Sequence, residues 1–279
     1  MTSAPIAITG TTGRLGGRVA RRLAAAGVPQ RLLVRDPARA PRLPGADAVR
    51  APYGEPDAVR AALEGVATVL MVSASETPDR VDQHRAFVDA AAAAGVGHLV
   101  YVSFLGAAPD ATFTLARDHW ATEEHVRAAG LTHTFLRDAL YADFAVHLVG
   151  DDGVIRGPAG DGRAAVVAQD DIADVATVVL GDPGAHAGAT YDLTGPEELS
   201  LAEVADVLAR VTGRPVSYVP ESVEEAYASR APSGAPDWQV DAWVSTYTAI
   251  AAGEMAGVSS AVPDLTGHPA RTLEQVVRG

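Results

Sequence analysis

The sequence contains no cysteine, no lysine and no asparagine. Without cysteine, disulfides, a thiol nucleophile and a Cys-ligated metal are excluded. All 22 basic residues are arginine, so there is no Schiff-base lysine, no P-loop lysine and no Tyr-x-x-x-Lys acid/base pair. Lysine and asparagine share A-rich codons, and a GC-rich genome accounts for their loss; the chemical exclusions hold whatever the cause. Excess positive charge is missing too. A formal charge of -13 leaves no basic footprint for nucleic acid or for an anionic membrane surface. No apolar run approaches the roughly 20 residues of a membrane span. The chain enters a strand within about five residues of its start, so a cytoplasmic protein is expected.

What remains is a globular composition: 279 residues, 48% apolar and 20% charged. Such a chain buries a large core, as one α/β domain or as a domain with a smaller appendage. The most informative stretch is Ile6-Ala7-Ile8-Thr9-Gly10-Thr11-Thr12-Gly13-Arg14-Leu15-Gly16. It reads as a short buried strand, a glycine turn and the start of a helix, the arrangement that brings backbone up to a pyrophosphate at a helix N-terminus. The spacing Gly10-x-x-Gly13-x-x-Gly16 differs from the simplest G-x-G-x-x-G fingerprint, but it follows a strand and opens a helix, as that motif requires. A tight strand-helix turn without ligand is the alternative.

The alternation continues for about 140 residues. Residues 31–35, 46–50, 66–73, 98–103 and 132–136 read as strands, and residues 55–64, 80–94 and 114–129 as helices, several closed by Gly. Asp36-Pro37 reads as an N-cap with Pro at the first helical position. These elements predict an α/β fold with a doubly wound parallel sheet of Rossmann type, its ligand at the carboxyl ends of the strands. From about residue 144 turn clusters interrupt the pattern, and a smaller C-terminal α/β lobe is expected. The division read from the sequence is a nucleotide-binding domain at 1–145 and a substrate-cleft lobe at 146–279 that returns some elements to the sheet. Within that lobe Ser200 and Glu203 have capping-box spacing, and residues 214–219 read as a strand.

Arg35 chooses between cofactors. An acidic residue at the end of the second strand suits the ribose 2′-OH of NAD, whereas an arginine accommodates a 2′-phosphate. Arg35, assisted by Arg14 in the turn, therefore favours NADP(H). Asp36 argues the other way unless it caps the following turn. Ser73, Ala74, Ser75 and Ser103 stand at strand ends where small polar residues line a nicotinamide ribose, or simply cap strands. His119 and Glu123 are four apart on one helix face. Either His119 is a proton donor oriented by Glu123, or the two form an exposed i,i+4 pair. Tyr141, past the sixth strand, donates a hydrogen bond to a substrate oxygen or packs. His84, His119 and His125 show no ligand spacing with a third partner, and no metal is expected.

These residues resemble the NmrA-like branch of the atypical short-chain dehydrogenases, and within it the NAD(P)H:quinone oxidoreductase type 2 and triphenylmethane reductase group. The similarity runs through Ile8 to Gly16, Leu33 to Pro37, Gln83-His84-Arg85, Ala94-Gly95-Val96, Tyr101 to Ala107, His119 to Glu123, Thr134 to Phe144, and Leu265 to Pro269. The resemblance implies an NADPH-binding N-terminal domain, a small C-terminal lobe and a substrate cleft. The chain departs from the family pattern at Pro52, where an acidic residue is common, and at Ala86 and Asp138, where asparagine is frequent. The implied activity is hydride transfer from NADPH to a quinone or similar conjugated acceptor without a Tyr-Lys pair, with His119 and Tyr141 at the acceptor. A quinone that accepts hydride becomes a hydroquinone anion that water can protonate, so proximity carries much of the catalysis. A non-catalytic, dinucleotide-binding redox sensor is the alternative. The expected partner is a small aromatic or quinone-like molecule, with neither nucleic acid nor membrane, and the expected assembly a monomer or homodimer.

Overall fold

A computed structural model describes residues 4–279. The strands are β1 (Ile6–Thr9), β2 (Gln30–Val34), β3 (Ala46–Arg50), β4 (Thr68–Val72), β5 (His98–Phe104), β6 (Thr132–Asp138), β7 (Val154–Gly157), β8 (Arg163–Ala164), β9 (Thr190–Leu193), β10 (Leu199–Ser200) and β11 (Ser217–Pro220). The helices are α1 (Arg14–Ala25), α2 (Pro56–Leu63), α3 (Arg80–Ala93), α4 (Thr114–Ala128), α5 (Gln169–Gly181), α6 (Leu201–Thr212), α7 (Val223–Arg230), α8 (Asp237–Ala251), α9 (Ala261–Thr266) and α10 (Leu273–Arg278). Among the described residues no helix is long and apolar enough to cross a membrane.

Seven strands form one sheet in the order β3-β2-β1-β4-β5-β6-β9. The register is parallel where β1 meets β2 (Ile6 opposite Gln30) and β4 (Ile6 opposite Thr68), and where β4 meets β5 (Thr68 opposite His98). The Phe135 amide donates to the Ala189 carbonyl, and four residues on the Ala139 amide donates to Leu193, so β9 also runs parallel to β6. The doubly wound α/β sheet is therefore as expected. Strand order reverses between β1 and β4, which is where such sheets hold their ligands. β4 and β5 are apolar and β-branched because parallel strands with helices on both faces are buried on both.

Two expected elements differ. Asp36-Pro37 opens only a single 3-10 turn, Pro37–Arg39, with Asp36 accepting from the Ala38 amide at 3.0 Å. Pro41 and Pro44 follow at once, and the missing amides and the restraint on the residues before them prevent a longer helix. The strand read at 214–219 shrinks to β11, which pairs in parallel with β7, Ser217 opposite Val154.

The chain divides into two compact units, and the division is not a single boundary after residue 145. The first unit comprises residues up to 103 with Asp118–Arg137 and Ile172–Tyr191; the second comprises Phe104–Arg117, Asp138–Asp171 and Asp192–Gly279. The chain leaves the first unit at the end of β5 and again at the end of β6, and comes back to it with most of α5. The first unit's core gathers Leu33, Val59, Leu63, Val69, Met71, Phe87, Leu99, Tyr101 and Phe135. The second has its own core, including Phe113, Ile155, Leu201, Val204, Leu208, Ile250 and Leu273. Its α6 opens with a true capping box, Ser200 bonded to the Glu203 amide and Glu203 to the Ser200 amide, as the spacing predicts.

Candidate active site

The glycine turn is built for close backbone approach. Gly10 has φ +65°, a conformation that side chains rarely adopt. A Cβ on Gly16 would lie 2.6 Å from the Gly10 carbonyl carbon and oxygen and 2.7 Å from the Thr9 oxygen, so only glycine lets α1 sit this close to β1. Gly13 is the N-cap and makes no side-chain cap bond, leaving the first amides of α1 to another partner. Leu15 is buried and anchors the helix, while Thr12, Gly13 and Arg14 are exposed. Thr11 is 3% exposed and its Oγ1 has no hydrogen-bond partner. A buried orphan hydroxyl beside uncapped amides fits a phosphate-bearing cofactor. Arg35 stands exposed just past β2. Asp36 is committed to its cap, which removes the carboxylate that would have argued for NAD.

Thr9 ties this turn to the neighbouring strand. Its Oγ1 accepts the Val72 amide at 2.8 Å and the Tyr53 hydroxyl at 2.7 Å, and Tyr53 also bonds the Val72 carbonyl. Beyond β4 lie Ser73, Ala74 and Ser75, with Ser75 exposed. The Ala74 amide donates to His84 Nε2 at 2.9 Å, and the Ala74 carbonyl accepts from Arg80 Nε at 3.2 Å. That loop is held from below by two side chains of α3.

Those two side chains begin a buried polar chain. Thr122 Oγ1 donates to the Asp118 carbonyl, so at 2.8 Å it accepts from His84 Nδ1. His84 thus carries its proton on Nδ1 and is neutral. Burial, with the Arg80 charge nearby, drops its pKa to about 3. Arg80, 5% exposed, donates to His119 Nε2 at 3.1 Å, and the other ring nitrogen of His119 lies 3.0 Å from the Tyr101 hydroxyl. Since an arginine only donates, Nε2 is the acceptor and the proton is on Nδ1. Burial and then Arg80 push His119 well below the ordinary histidine value, while burial pushes the Tyr101 phenol up. Asp118 lies 3.6 Å from Arg80 Nη1 and is raised by burial against the pull of that cation.

The expected link from His119 to Glu123 does not form. Glu123 is fully buried, and its carboxylate accepts from Ser103 at 2.6 Å, from both Arg137 donors at 2.8 and 2.7 Å and from Arg127 at 3.2 Å. The helix face carrying both residues points into the protein, which rules out the exposed pair as well. Ser103, 2% exposed, has its hydroxyl proton engaged with Glu123. Sequence reasoning missed Arg80 and Tyr101 as members of this network. A tyrosine in the middle of the buried β5 was the available signal, because a buried phenol needs a partner.

Tyr141 falls in the second unit, where it lines a cavity of about 360 Å³. Leu140, Phe144, Ala145, Val166, Trp243 and Tyr247 supply most of its wall and Arg230 its one charge. Arg230 is itself held, 3.0 Å from Glu221 and with its guanidinium 5.2 Å from the centre of the Tyr247 ring. Tyr141 Oη lies 3.0 Å from Asp138 Oδ2. Asp138 ends β6, is 1% exposed, and its Oδ1 has no partner. Burial drives its pKa well above the carboxylate range. A planar, weakly polar molecule suits this lining. Trp243, Tyr247 and Arg230 lie in the stretch whose sequence pattern is loosest and were not singled out there.

Residues 2–235 match the NmrA-like family. The chain belongs to that family. This NmrA-like chain is 34% identical to the NAD(P)H azoreductase of Xenophilus azovorans over 98% of its own length and 96% of that protein's. Among solved structures it resembles an NADPH-dependent quinone oxidoreductase of Escherichia coli complexed with NADPH, with TM-score 0.89, 34% identity and 98% of each chain covered. It also resembles the Citrobacter sp. triphenylmethane reductase complexed with NADP(H), with TM-score 0.86 and 31% identity over 98% of this chain and 99% of that one.

Proposed function

We propose that this NmrA-like chain is an NADPH-dependent reductase that passes hydride to a quinone or similar conjugated acceptor, working in the cytoplasm as a monomer or homodimer without nucleic acid or membrane. The reading is carried by its full-length similarity to reductases named for NAD(P)H and for azo, quinone and triphenylmethane acceptors. When bound, the nicotinamide supplies the hydride. Everything else falls to side chains and backbone of this chain.

Gly10, Gly13 and Gly16 bring backbone and the α1 amides to the pyrophosphate, and the Thr11 hydroxyl donates to it. Arg14 and Arg35 meet the 2′-phosphate. Ser73, Ala74 and Ser75, held by Arg80 and His84, and Ser103 line the nicotinamide ribose. His119, neutral and bonded on both nitrogens, acts at one remove by fixing Arg80. In the second unit Leu140, Phe144 and Trp243 exclude water from the acceptor, and Tyr141 donates a hydrogen bond to its reducible oxygen or nitrogen. No lysine stands beside that tyrosine, so the best acceptors are those whose reduced anions need little help from an acid.

The test is NADPH oxidation by the purified protein against a panel of quinones, azo and triphenylmethane dyes, and ketones. Turnover with at least one conjugated acceptor is expected; tight dinucleotide binding without any turnover would instead mark a sensor. Arg35→Glu should raise the KM for NADPH roughly ten- to a hundredfold, the worth of one charged hydrogen bond, and leave the KM for NADH little changed. Unchanged NADPH affinity would sink the cofactor assignment.

A further inference from the structure

The second unit holds a carboxyl group that the proposed reaction has not yet used. Asp138 is 1% exposed, its Oδ2 lies 3.0 Å from Tyr141 Oη, and its Oδ1 is buried with no hydrogen-bond partner. No cation is bonded to it: among the described residues Tyr141 is the titratable side chain its carboxyl meets. An ionised carboxylate here would leave an anionic oxygen buried and bare, at a high desolvation cost. A carboxylic acid with its proton on Oδ2 leaves only a neutral carbonyl oxygen at Oδ1, which is a far smaller penalty. In that form Oδ2–H donates to Tyr141 Oη, and the phenol O–H turns toward the cavity that Tyr141 lines.

We propose that Asp138 is a neutral carboxylic acid that backs Tyr141 as a proton relay into the acceptor cavity, serving acceptors whose reduced form is a basic anion. This rests on the reductase reading. An acceptor that had taken two electrons as hydride from the bound dinucleotide would carry an oxyanion or nitrogen anion. The Tyr141 O–H bond breaks as the new O–H or N–H bond forms on that anion. The Asp138 Oδ2–H bond breaks as the Tyr141 O–H is restored, and the Asp138 carboxylate then takes a proton from water. Asp138 touches no acceptor, so it is a positioning and proton-storing residue rather than a catalytic one. The direction of its pKa shift, upward through burial, agrees with the neutral form. The relay gives the chain an acid without lysine. It also predicts two classes of acceptor: quinones, whose hydroquinone anions water protonates, bypass it, and enones or ketones, whose product anions are strongly basic, need it.

The first measurement is infrared difference spectroscopy of the wild-type protein against Asp138→Asn, without cofactor, at pH 7. A protonated-carboxyl C=O band that is absent in the variant and shifts down in D2O is expected; a carboxylate difference in its place overturns the proposal. The second is turnover of cyclohexenone and of menadione with NADPH. Asp138→Asn keeps an acceptor for the Tyr141 hydroxyl but has no proton to give. It should lower kcat for cyclohexenone roughly a hundredfold with KM unchanged and abolish the solvent isotope effect, while kcat for menadione stays within about twofold. Tyr141→Phe, which removes the hydrogen bond to the acceptor as well, should lower kcat for cyclohexenone at least as far. A uniform fall for both acceptors, or no fall for the enone, overturns the relay. Should neither acceptor be reduced, the reductase reading fails and the relay with it, while the infrared band still reports whether Asp138 holds its proton.

Discussion

In the first unit His84 bonds Thr122, and His119 bonds both Tyr101 and Arg80, each histidine held in a single tautomer, while Arg80 Nη1 makes no hydrogen bond but faces Asp118 at 3.6 Å. In the second unit Asp138 meets Tyr141 beside an apolar cavity, with one carboxyl oxygen left bare. The contrast separates two uses of buried polarity. Where the groups bond one another and the backbone, the network fixes geometry: His84 and Arg80 hold the loop after β4, next to the point where Thr9 and Val72 are bonded. Where a group is left unsatisfied, it keeps a proton in store and so keeps chemistry. Stability should depend on the first region and reactivity on the second.

The largest effect expected from this contrast is on stability. Arg80→Met removes the donor to His119 Nε2 and to the Ala74 carbonyl and leaves Asp118 half-buried without its cation. Stranding several buried partners at once should cost about 2–4 kcal/mol, a fall in Tm of roughly 3–8 °C for a chain of this size. Asp138→Asn should not lower Tm at pH 7, since an amide of the same shape replaces the acid without the cost of keeping it neutral. Thermal unfolding of both variants breaks the comparison if Asp138→Asn is the more damaging.

The next effect is on pH dependence, and the two regions have opposite signs. His84 has a folded pKa of about 3, below the ordinary 6.5. Its contribution is therefore fully present above pH 6.5 and drains away as pH falls from 6.5 toward 3, at about 1.4 kcal/mol per pH unit. His119 is lowered in the same direction. Asp138 is raised, so it weakens the fold as pH climbs above the ordinary carboxylate value and returns that stability on acidification. Between pH 6.5 and 5 one histidine accounts for about 2 kcal/mol of lost stability. Urea unfolding at the two pH values should show His84→Gln flattening the acid loss and Asp138→Asn steepening it. The same sign for both variants would mean that the two regions do not differ as described.

How much of this was legible in the sequence follows the same division. The backbone of the glycine turn, the parallel sheet and the placement of Arg35 just past a strand were readable because each is a local pattern: glycine where backbone must approach backbone, apolar runs buried on both faces, a charge at a strand end. The orientation of α4 was not. His119 and Glu123 share a face by spacing, but spacing does not say that the face is buried, and Arg137, fourteen residues on from Glu123, decides what Glu123 bonds to. Asp138 was visible only as a departure from a family pattern; its meaning needed its burial and its bare oxygen. The cavity was least legible of all. Its wall draws on Leu140, Val166, Leu199, Trp243 and Leu273, residues far apart in the chain that no periodicity connects.

The smallest effect concerns that wall, and it sharpens the claim that the second unit governs the acceptor alone. Trp243 lines the cavity while packing against the small cluster of Ala226, Val240 and Val244. Trp243→Leu keeps the packing apolar but removes part of that lining, on the order of 50 Å² of contact with a planar acceptor, or about 1.4 kcal/mol at the usual value per unit area. The KM for a bulky triphenylmethane dye should therefore rise roughly tenfold, while the KM for menadione, which covers less of the wall, rises less and the affinity for NADPH does not move. Steady-state kinetics with the two acceptors, beside a titration of NADPH fluorescence, separates these quantities. A loss of NADPH affinity in this variant would show that the cofactor and acceptor functions are not divided between the two units, and an unchanged KM for the dye would place the acceptor outside this cavity.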